Sequence, residues 1–314
     1  MGRFRHQSAL LILASALTAA AFVAVALAQS TFKVDVKLVR LLVSVKDARG
    51  ELVGSLEKPD FAVYDSGVRQ EVAVFEHHTE VPLSVSLLID TSGSTATNLR
   101  YETTSIEKFL RALLREGNPG DAAALYAFND VVTRMNTFTR REQPLIDSLK
   151  ELKGNAGTSL YDAVFLASRE SARRDGRHVI VAVTDGGDTT SDKKYADAFE
   201  SAQNADAIIY PILVVPITND AGRNLGGERA LETLASGTGG RVFQPMGAAE
   251  LDAAFTQILR DLRTQYLVAY YPRSLPADAQ RFHLVRVELS RKDLRATTRT
   301  GYYGDAPLTG KAAR

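Results

Sequence analysis

Apolar and polar positions divide this chain into four stretches with different periods. An apolar run of 19 residues, Ala9 to Leu27, follows Arg3, Arg5 and His6 and ends in the small-residue tripeptide Ala26-Leu27-Ala28. A basic start, an apolar middle and a small-residue end predict a secretory signal over residues 1–28, cleaved before Gln29, with the remainder exported. An uncleaved membrane anchor is the alternative, because the run is also long enough to span a bilayer. No second long apolar stretch follows. From Phe32 to about His78 the alternation is strand-like: Val34, Val36 and Leu38, then Leu42 and Val43, Phe61 to Tyr64 and Val72 to Phe75, with turns at Asp47 to Gly50 and Asp65-Ser66-Gly67. These few strands, an N-terminal β-segment over residues 29–80, cannot cover their own apolar face and need a partner.

From Val81 to Thr264 the period changes. Apolar runs rich in β-branched residues, Leu83 to Ile89, Ala122 to Phe128, His178 to Val183 and Ala207 to Val215, alternate with stretches of helical periodicity near 98–115, 142–151, 159–174, 192–204, 228–237 and 248–263. That alternation predicts an α/β fold with a doubly wound, mostly parallel sheet over residues 81–264. Val131 to Phe138 reads as an extra edge strand, weakened by Arg134 and Asn136. Strand patterning returns over residues 265–304, in Tyr266 to Tyr271, Phe282 to Leu289 and Arg295 to Tyr303. Residues 305–314 read as a tail. The expected architecture is an α/β core inserted in, or flanked by, a β-sandwich-like domain built from the N- and C-terminal strands.

Composition narrows the chemistry. Lys and Arg number 38 against 37 Asp and Glu, a balance of +1, which argues against nucleic-acid binding driven by bulk charge. Cysteine is absent, which excludes disulfides, thiolate zinc, iron–sulfur clusters, a cysteine nucleophile and a lipidated cysteine anchor. Any metal has to be held by oxygen or by the five histidines.

Oxygen ligands occur where such a sheet binds ligands. The first α/β strand ends in Asp90-Thr91-Ser92-Gly93-Ser94, and a later one in Thr184-Asp185-Gly186-Gly187-Asp188. Loops at the carboxyl ends of parallel strands line the ligand crevice. Between them Gly154-Asn155-Ala156-Gly157-Thr158-Ser159 opens a helix and offers the Thr158 hydroxyl. Such hard oxygen donors suit Mg²⁺, Mn²⁺ or Ca²⁺. Taken alone, Asp90 to Ser94 reads equally well as a strand-end turn that caps a helix.

The D-x-S-x-S run, the Gly-Thr loop and Thr-Asp-Gly-Gly, in this order, resemble the metal-ion-dependent adhesion site of von Willebrand factor A-type domains. The flanks resemble those of bacterial secreted proteins described as von Willebrand A-related, in Gln265 to Pro272 and Gly301-Tyr302-Tyr303. The resemblance implies metal contacts from Ser92, Ser94 and Thr158, with Asp90 and Asp185 acting directly or through water. It also implies a Mg²⁺ ion that keeps an open position for an acidic residue of a partner protein.

Other residues receive structural readings. Asp188 reads as a solvated loop acid and Asp130 as a turn residue. His77 and His78 read as surface residues, while His178 and His283 lie within strands. Arg169, Arg173, Arg174 and Arg177 cluster at a helix end. Tyr266, Tyr270, Tyr271, Tyr302 and Tyr303 read as packing. The functional expectation is a secreted, periplasmic or envelope interaction module without catalysis. A metal-dependent phosphatase or hydrolase is the enzymatic alternative, but G-x-S-x-G, P-loop and H-E-x-x-H motifs are absent and Ser92 stands where a second carboxylate would be needed. An architectural envelope protein with a purely stabilising ion is the third reading.

Overall fold

A computed structural model describes residues 38–77, 81–93, 99–214, 224–276 and 281–304. The signal and anchor readings, His78, Ser94 and the tail lie outside these residues. The described residues belong to one compact unit that begins at Leu38.

The N-terminal segment supplies β1 (Val39–Lys46), β2 (Phe61–Asp65), β3 (Val68–Gln70) and β4 (Val72–Glu76). The α/β portion follows as β5 (Leu83–Asp90), α1 (Leu99–Glu116), β6 (Ala122–Phe128), β7 (Val132–Thr139), α2 (Glu142–Lys150), α3 (Leu160–Ser171), β8 (Arg177–Thr184), α4 (Tyr195–Asn204), β9 (Ala207–Leu213), α5 (Leu225–Thr238) and α6 (Ala248–Thr264). The chain then returns to strands in β10 (Tyr266–Tyr270), β11 (Phe282–Leu289), β12 (Arg295–Thr297) and β13 (Gly301–Tyr303).

The central sheet has the order β7-β6-β5-β8-β9, with β6, β5, β8 and β9 parallel and β7 antiparallel at the edge. Every residue of β5, β8 and β9 is buried, which is why these strands read as continuous apolar runs rather than alternations. Successive side chains take opposite faces. Val85, Leu87 and Ile89 join Val179, Val181 and Val183 beneath Ile106, Phe109 and Leu110 of α1 and Phe255 and Ile258 of α6. Leu88, Ile180 and Ala182 meet Val164 of α3, Ala198 of α4 and Leu231 of α5 on the other face.

The flanking strands form two antiparallel sheets, β12-β1-β10-β4 and β13-β11-β2-β3, so each sheet mixes strands from both ends of the chain. In the first, β10 lies between β1 and β4, with Val39 opposite Tyr270 and Glu76 opposite Leu267. The sheets share one apolar core, in which Leu41, Val43, Tyr266 and Val268 meet Phe61, Val63 and Val285. Two strand boundaries differ from the sequence reading. Val68 to Gln70 adds a short hairpin strand after the Ser66-Gly67 turn, where both residues take positive φ. Arg295 to Tyr303 is two strands, broken where Thr300 N donates to Gly237 O at 3.0 Å and Arg299 reaches Asp206 at 2.6 Å.

The sandwich meets the α/β sheet at the amino ends of its strands. Arg177, at the start of β8, donates to Leu262 O at 2.7 Å and to Gln265, whose amide donates to Ser44 Oγ at 3.1 Å. Asp206 precedes β9 and binds both Arg299 and Arg40. The carboxyl ends point away from this junction. Among the described residues no helix is long and apolar enough to cross a membrane.

Candidate functional site

The loops that leave the carboxyl ends of β5, β6 and β8 are tied to one another through their backbones. Thr91 N and Thr91 Oγ1 donate to Phe128 O at 2.8 and 3.2 Å, and Asn129 Nδ2 donates to Thr91 Oγ1 at 3.1 Å. The loop before α3 docks on the first of these, with Asn155 N donating to Thr91 O at 2.9 Å and Ser92 pairing with Asn155 as a parallel bridge. The loop after β8 closes the ring. Thr189 N and Thr190 N donate to Thr158 O at 2.8 and 3.2 Å, and Thr158 N donates to Thr189 Oγ1 at 3.0 Å. Gly157 makes this docking possible: its φ is +82°, and a Cβ there would lie 2.9 Å from Asp130 Cβ and 3.1 Å from Thr190 Cγ2.

Asp90 is the last residue of β5 and is fully buried. Its Oδ1 accepts from Ser92 N at 2.9 Å, and its Oδ2 accepts from Thr184 Oγ1 at 2.6 Å. Asp185, half-buried at the end of β8, accepts from Gly187 N at 3.3 Å, a turn that Gly186 enables with a φ of +94°. Ser92 and Thr158 are buried. Burial pushes the Asp90 carboxyl up to about 6, with the charge of Asp185 adding to it, although hydrogen bonds from Thr184 and Ser92 pull the other way.

Of the five residues that the sequence singles out, Asp90, Ser92, Thr158 and Asp185 thus stand on adjoining loops at one end of the sheet. Ser94 lies outside the described residues. Their chemistry, two carboxylates and two hydroxyls, fits a hard divalent cation. Among the described residues no three acidic or imidazole side chains are grouped so as to hold an ion by themselves, so any ion there would also need hydroxyls or water.

Glu102, in the first turn of α1, is the residue that motif reading passed over. It is buried, both carboxylate oxygens lack a hydrogen-bond partner among the described residues, and burial followed by the charges of Asp90 and Asp185 pushes it up to about 8. Its signal was present in the sequence: Glu102 lies four residues before Ile106, on the apolar stripe of the helix.

The remaining candidates have structural roles. Asp188 is half-buried rather than solvated, because its Oδ1 accepts from Tyr161 N at 3.0 Å in the first turn of α3 and from Ser191 Oγ at 2.6 Å. Asp130 accepts from Asn155 Nδ2 at 3.1 Å, a loop tie. His77 follows β4 and rests edge-on against Phe75 and Tyr266. His178 sets both ring nitrogens against carbonyls, of Ala205 and Arg174. Arg174 stacks over Phe138, Arg173 pairs with Glu170, and Arg177 is buried. Tyr266 and Tyr270 are core residues, whereas Tyr271 is exposed. Tyr270 and Tyr302 both donate to the buried Asp65, at 2.8 and 2.7 Å.

Residues 85–187 match the sequence profile of the von Willebrand factor type A domain, a span that includes Asp90, Ser92, Thr158 and Asp185. No curated protein sequence matches the chain. Among solved structures, proximal thread matrix protein 1 from the mussel byssus aligns with a TM-score of 0.50 at 16% identity, covering 63% of this chain and 51% of that one. The von Willebrand domain of the type V pili tip protein Mfa5 from Porphyromonas gingivalis aligns with a TM-score of 0.47 at 16% identity, covering 57% and 94%. The conserved hypothetical protein BatB from Bacteroides thetaiotaomicron gives 0.46 at 16%, covering 58% and 100%. At such identities the similarity is one of fold. The segment from β5 to the loop after β8, residues 85–187, is thus similar in sequence to the von Willebrand factor type A domain.

Proposed function

We propose that this protein is a secreted or envelope module without catalytic activity, which binds another protein through a divalent cation, Mg²⁺ in the first instance, held in the crevice. The observation that carries the reading is the buried Asp90 carboxylate, held by Ser92 and Thr184 and acted on by the charge of Asp185, on loops that adjoin the one carrying Thr158. Like charges so placed call for a counter-ion.

Asp90, Asp185, Ser92 and Thr158, joined by Ser94, are the residues that would hold the ion. The ion would supply a concentrated positive charge with a position open to an oxygen ligand. Neutral hydroxyls leave that charge largely intact, so an acidic residue of the partner protein is the fitting complement. Hydrogen bonds from Thr184 and Ser92 fix the orientation of Asp90, and the ties among the loops limit the entropy lost when a partner docks. Export rests on the signal pattern of residues 1–28.

The test is affinity capture from the envelope fraction of the native host, in Mg²⁺ and in EDTA, with wild type and Asp90→Ala. Proteins held by wild type in Mg²⁺, released by EDTA and missed by Asp90→Ala are expected. Identical retention in all four arms overturns the reading.

A further inference from the structure

The apolar stripe of α1 runs through Ile106, Phe109, Leu110 and Leu113, all at most 2% exposed. One turn before Ile106 the same stripe carries Glu102, 1% exposed. A carboxylate at a core position is tolerated when it is paired or hydrogen-bonded. Other buried acids of this chain meet that condition. Asp121 accepts from Leu83 N at 2.8 Å and Asn118 N at 2.9 Å, Asp261 pairs with Arg241 and Lys46, and Asp65 has its two tyrosines. Glu102 has neither a hydrogen bond nor an ion pair among the described residues, and the charges that act on it are those of Asp90 and Asp185.

Packing gives no reason for this choice, since leucine or glutamine would fill the position without the charge. A cation shared with Asp90 and Asp185 does. We propose that Glu102 is a further carboxylate of the cation site, which reaches the ion through its bound water and adds a third negative charge to the two supplied by the strand-end loops. Water is the intermediary because, among the described residues, no three acidic side chains are grouped to hold an ion directly. The inference rests on the cation reading above and extends it. With three acids around a doubly charged ion, the site discriminates strongly against monovalent cations. A carboxylate that acts from outside the direct ligands typically accounts for about ten- to a hundredfold in metal affinity.

The experiment uses the full chain and the metals alone. Mg²⁺ and Mn²⁺ are titrated calorimetrically into wild type, Glu102→Gln, Glu102→Met and Asp90→Asn, and the same proteins are melted in EDTA. Both Glu102 variants are expected to bind the ions about ten- to a hundredfold more weakly. In EDTA they should melt at or above the wild-type temperature, because an unpaired buried acid has been removed. A purely structural role predicts the reverse, a lower melting temperature in EDTA with unchanged affinity. If wild type binds, Asp90→Asn does not, and both Glu102 variants match wild type, Glu102 is excluded while the cation site stands. If wild type binds neither ion, both readings fall.

Discussion

Replacing Tyr302 or Tyr270 by phenylalanine tests the joint between the two ends of the chain. Asp65, on β2 from the N-terminal segment, is fully buried, and its Oδ2 accepts from Tyr270 on β10 at 2.8 Å and from Tyr302 on β13 at 2.7 Å. Ser66 Oγ adds a third hydrogen bond at 3.1 Å, to Oδ1. A hydrogen bond to a charged acceptor contributes about 1.5–3 kcal/mol, and a chain of this size loses about 2–4 °C in melting temperature per kcal/mol. Tyr270→Phe, at a fully buried site, should therefore cost about 2–3 kcal/mol, and the partly buried Tyr302→Phe about 1.5 kcal/mol. Urea unfolding at pH 7.5 measures both. In an Asp65→Ala background the acceptor is gone, so either tyrosine substitution should become nearly neutral. Equal losses with and without Asp65 would refute the reasoning, since the tyrosines would then act through packing alone. Their titration gives the same joint a pH signature: burial, together with the Asp65 charge, raises both phenols above the ordinary tyrosine value. Stability is then fully present below about pH 10 and declines as pH rises beyond the pKa of the unfolded phenols.

Four further outcomes follow from the geometry. Burial raises the Asp90 carboxyl from 3.8 to about 6, so the ion-free fold loses stability as pH rises from about 4 to 6, on the order of 3 kcal/mol. Asp90→Asn in EDTA should accordingly melt higher than wild type at pH 7.5 with no such gain at pH 4, and should lose the stabilisation by Mg²⁺; equal Mg²⁺ responses would contradict the site. Gly157→Ala forces a left-handed backbone and a Cβ clash with Asp130, which should cost about 1–2 kcal/mol and weaken calorimetric Mg²⁺ binding by displacing Thr158. A chain that ends at residue 264 loses β10 from between β1 and β4, and circular dichroism should show no cooperative melting of the N-terminal strands. Sequencing the protein from its native host should find Gln29 at the N-terminus, whereas retention of residues 1–28 would favour the anchor.

What the sequence reveals depends on how local the determinant is. Leu83 to Ile89 and His178 to Val183 are legible as strands because both of their faces are buried, and the helices because one face is apolar. Asp90, Ser92, Thr158 and Asp185 are legible because each sits in a short motif at the end of a strand or at the start of a helix. Glu102 escapes because the acids that act on it, Asp90 and Asp185, come from other elements, although an acid on an apolar stripe is itself a local warning. Asp65, Tyr270 and Tyr302 could not be assembled by inspection, since the tyrosines lie more than 200 positions away along the chain. The break within Arg295 to Tyr303 is likewise non-local, set by Gly237 and Asp206 of the α/β portion.

The pairing of β4 with β10 has a consequence for how such a chain can be assembled and remodelled. The last residue of β4, Glu76, stands opposite Leu267 near the start of β10, which is the geometry of two strands joined by a tight turn. Topologically, the whole α/β portion occupies the place of a hairpin loop about 190 residues long. An unstructured loop of that length would add about 3 kcal/mol of closure entropy relative to a four-residue turn, yet this one folds with its own ends close together and avoids most of that cost. The crevice, at the far end of the α/β sheet from the junction, can therefore vary without touching the β4–β10 pairing. A four-residue turn in place of residues 78–264 would keep the β4–β10 register, though the break between β12 and β13 would lose its anchors on Gly237 and Asp206, and a different α/β insert with equally close ends could be grafted onto the same two strands.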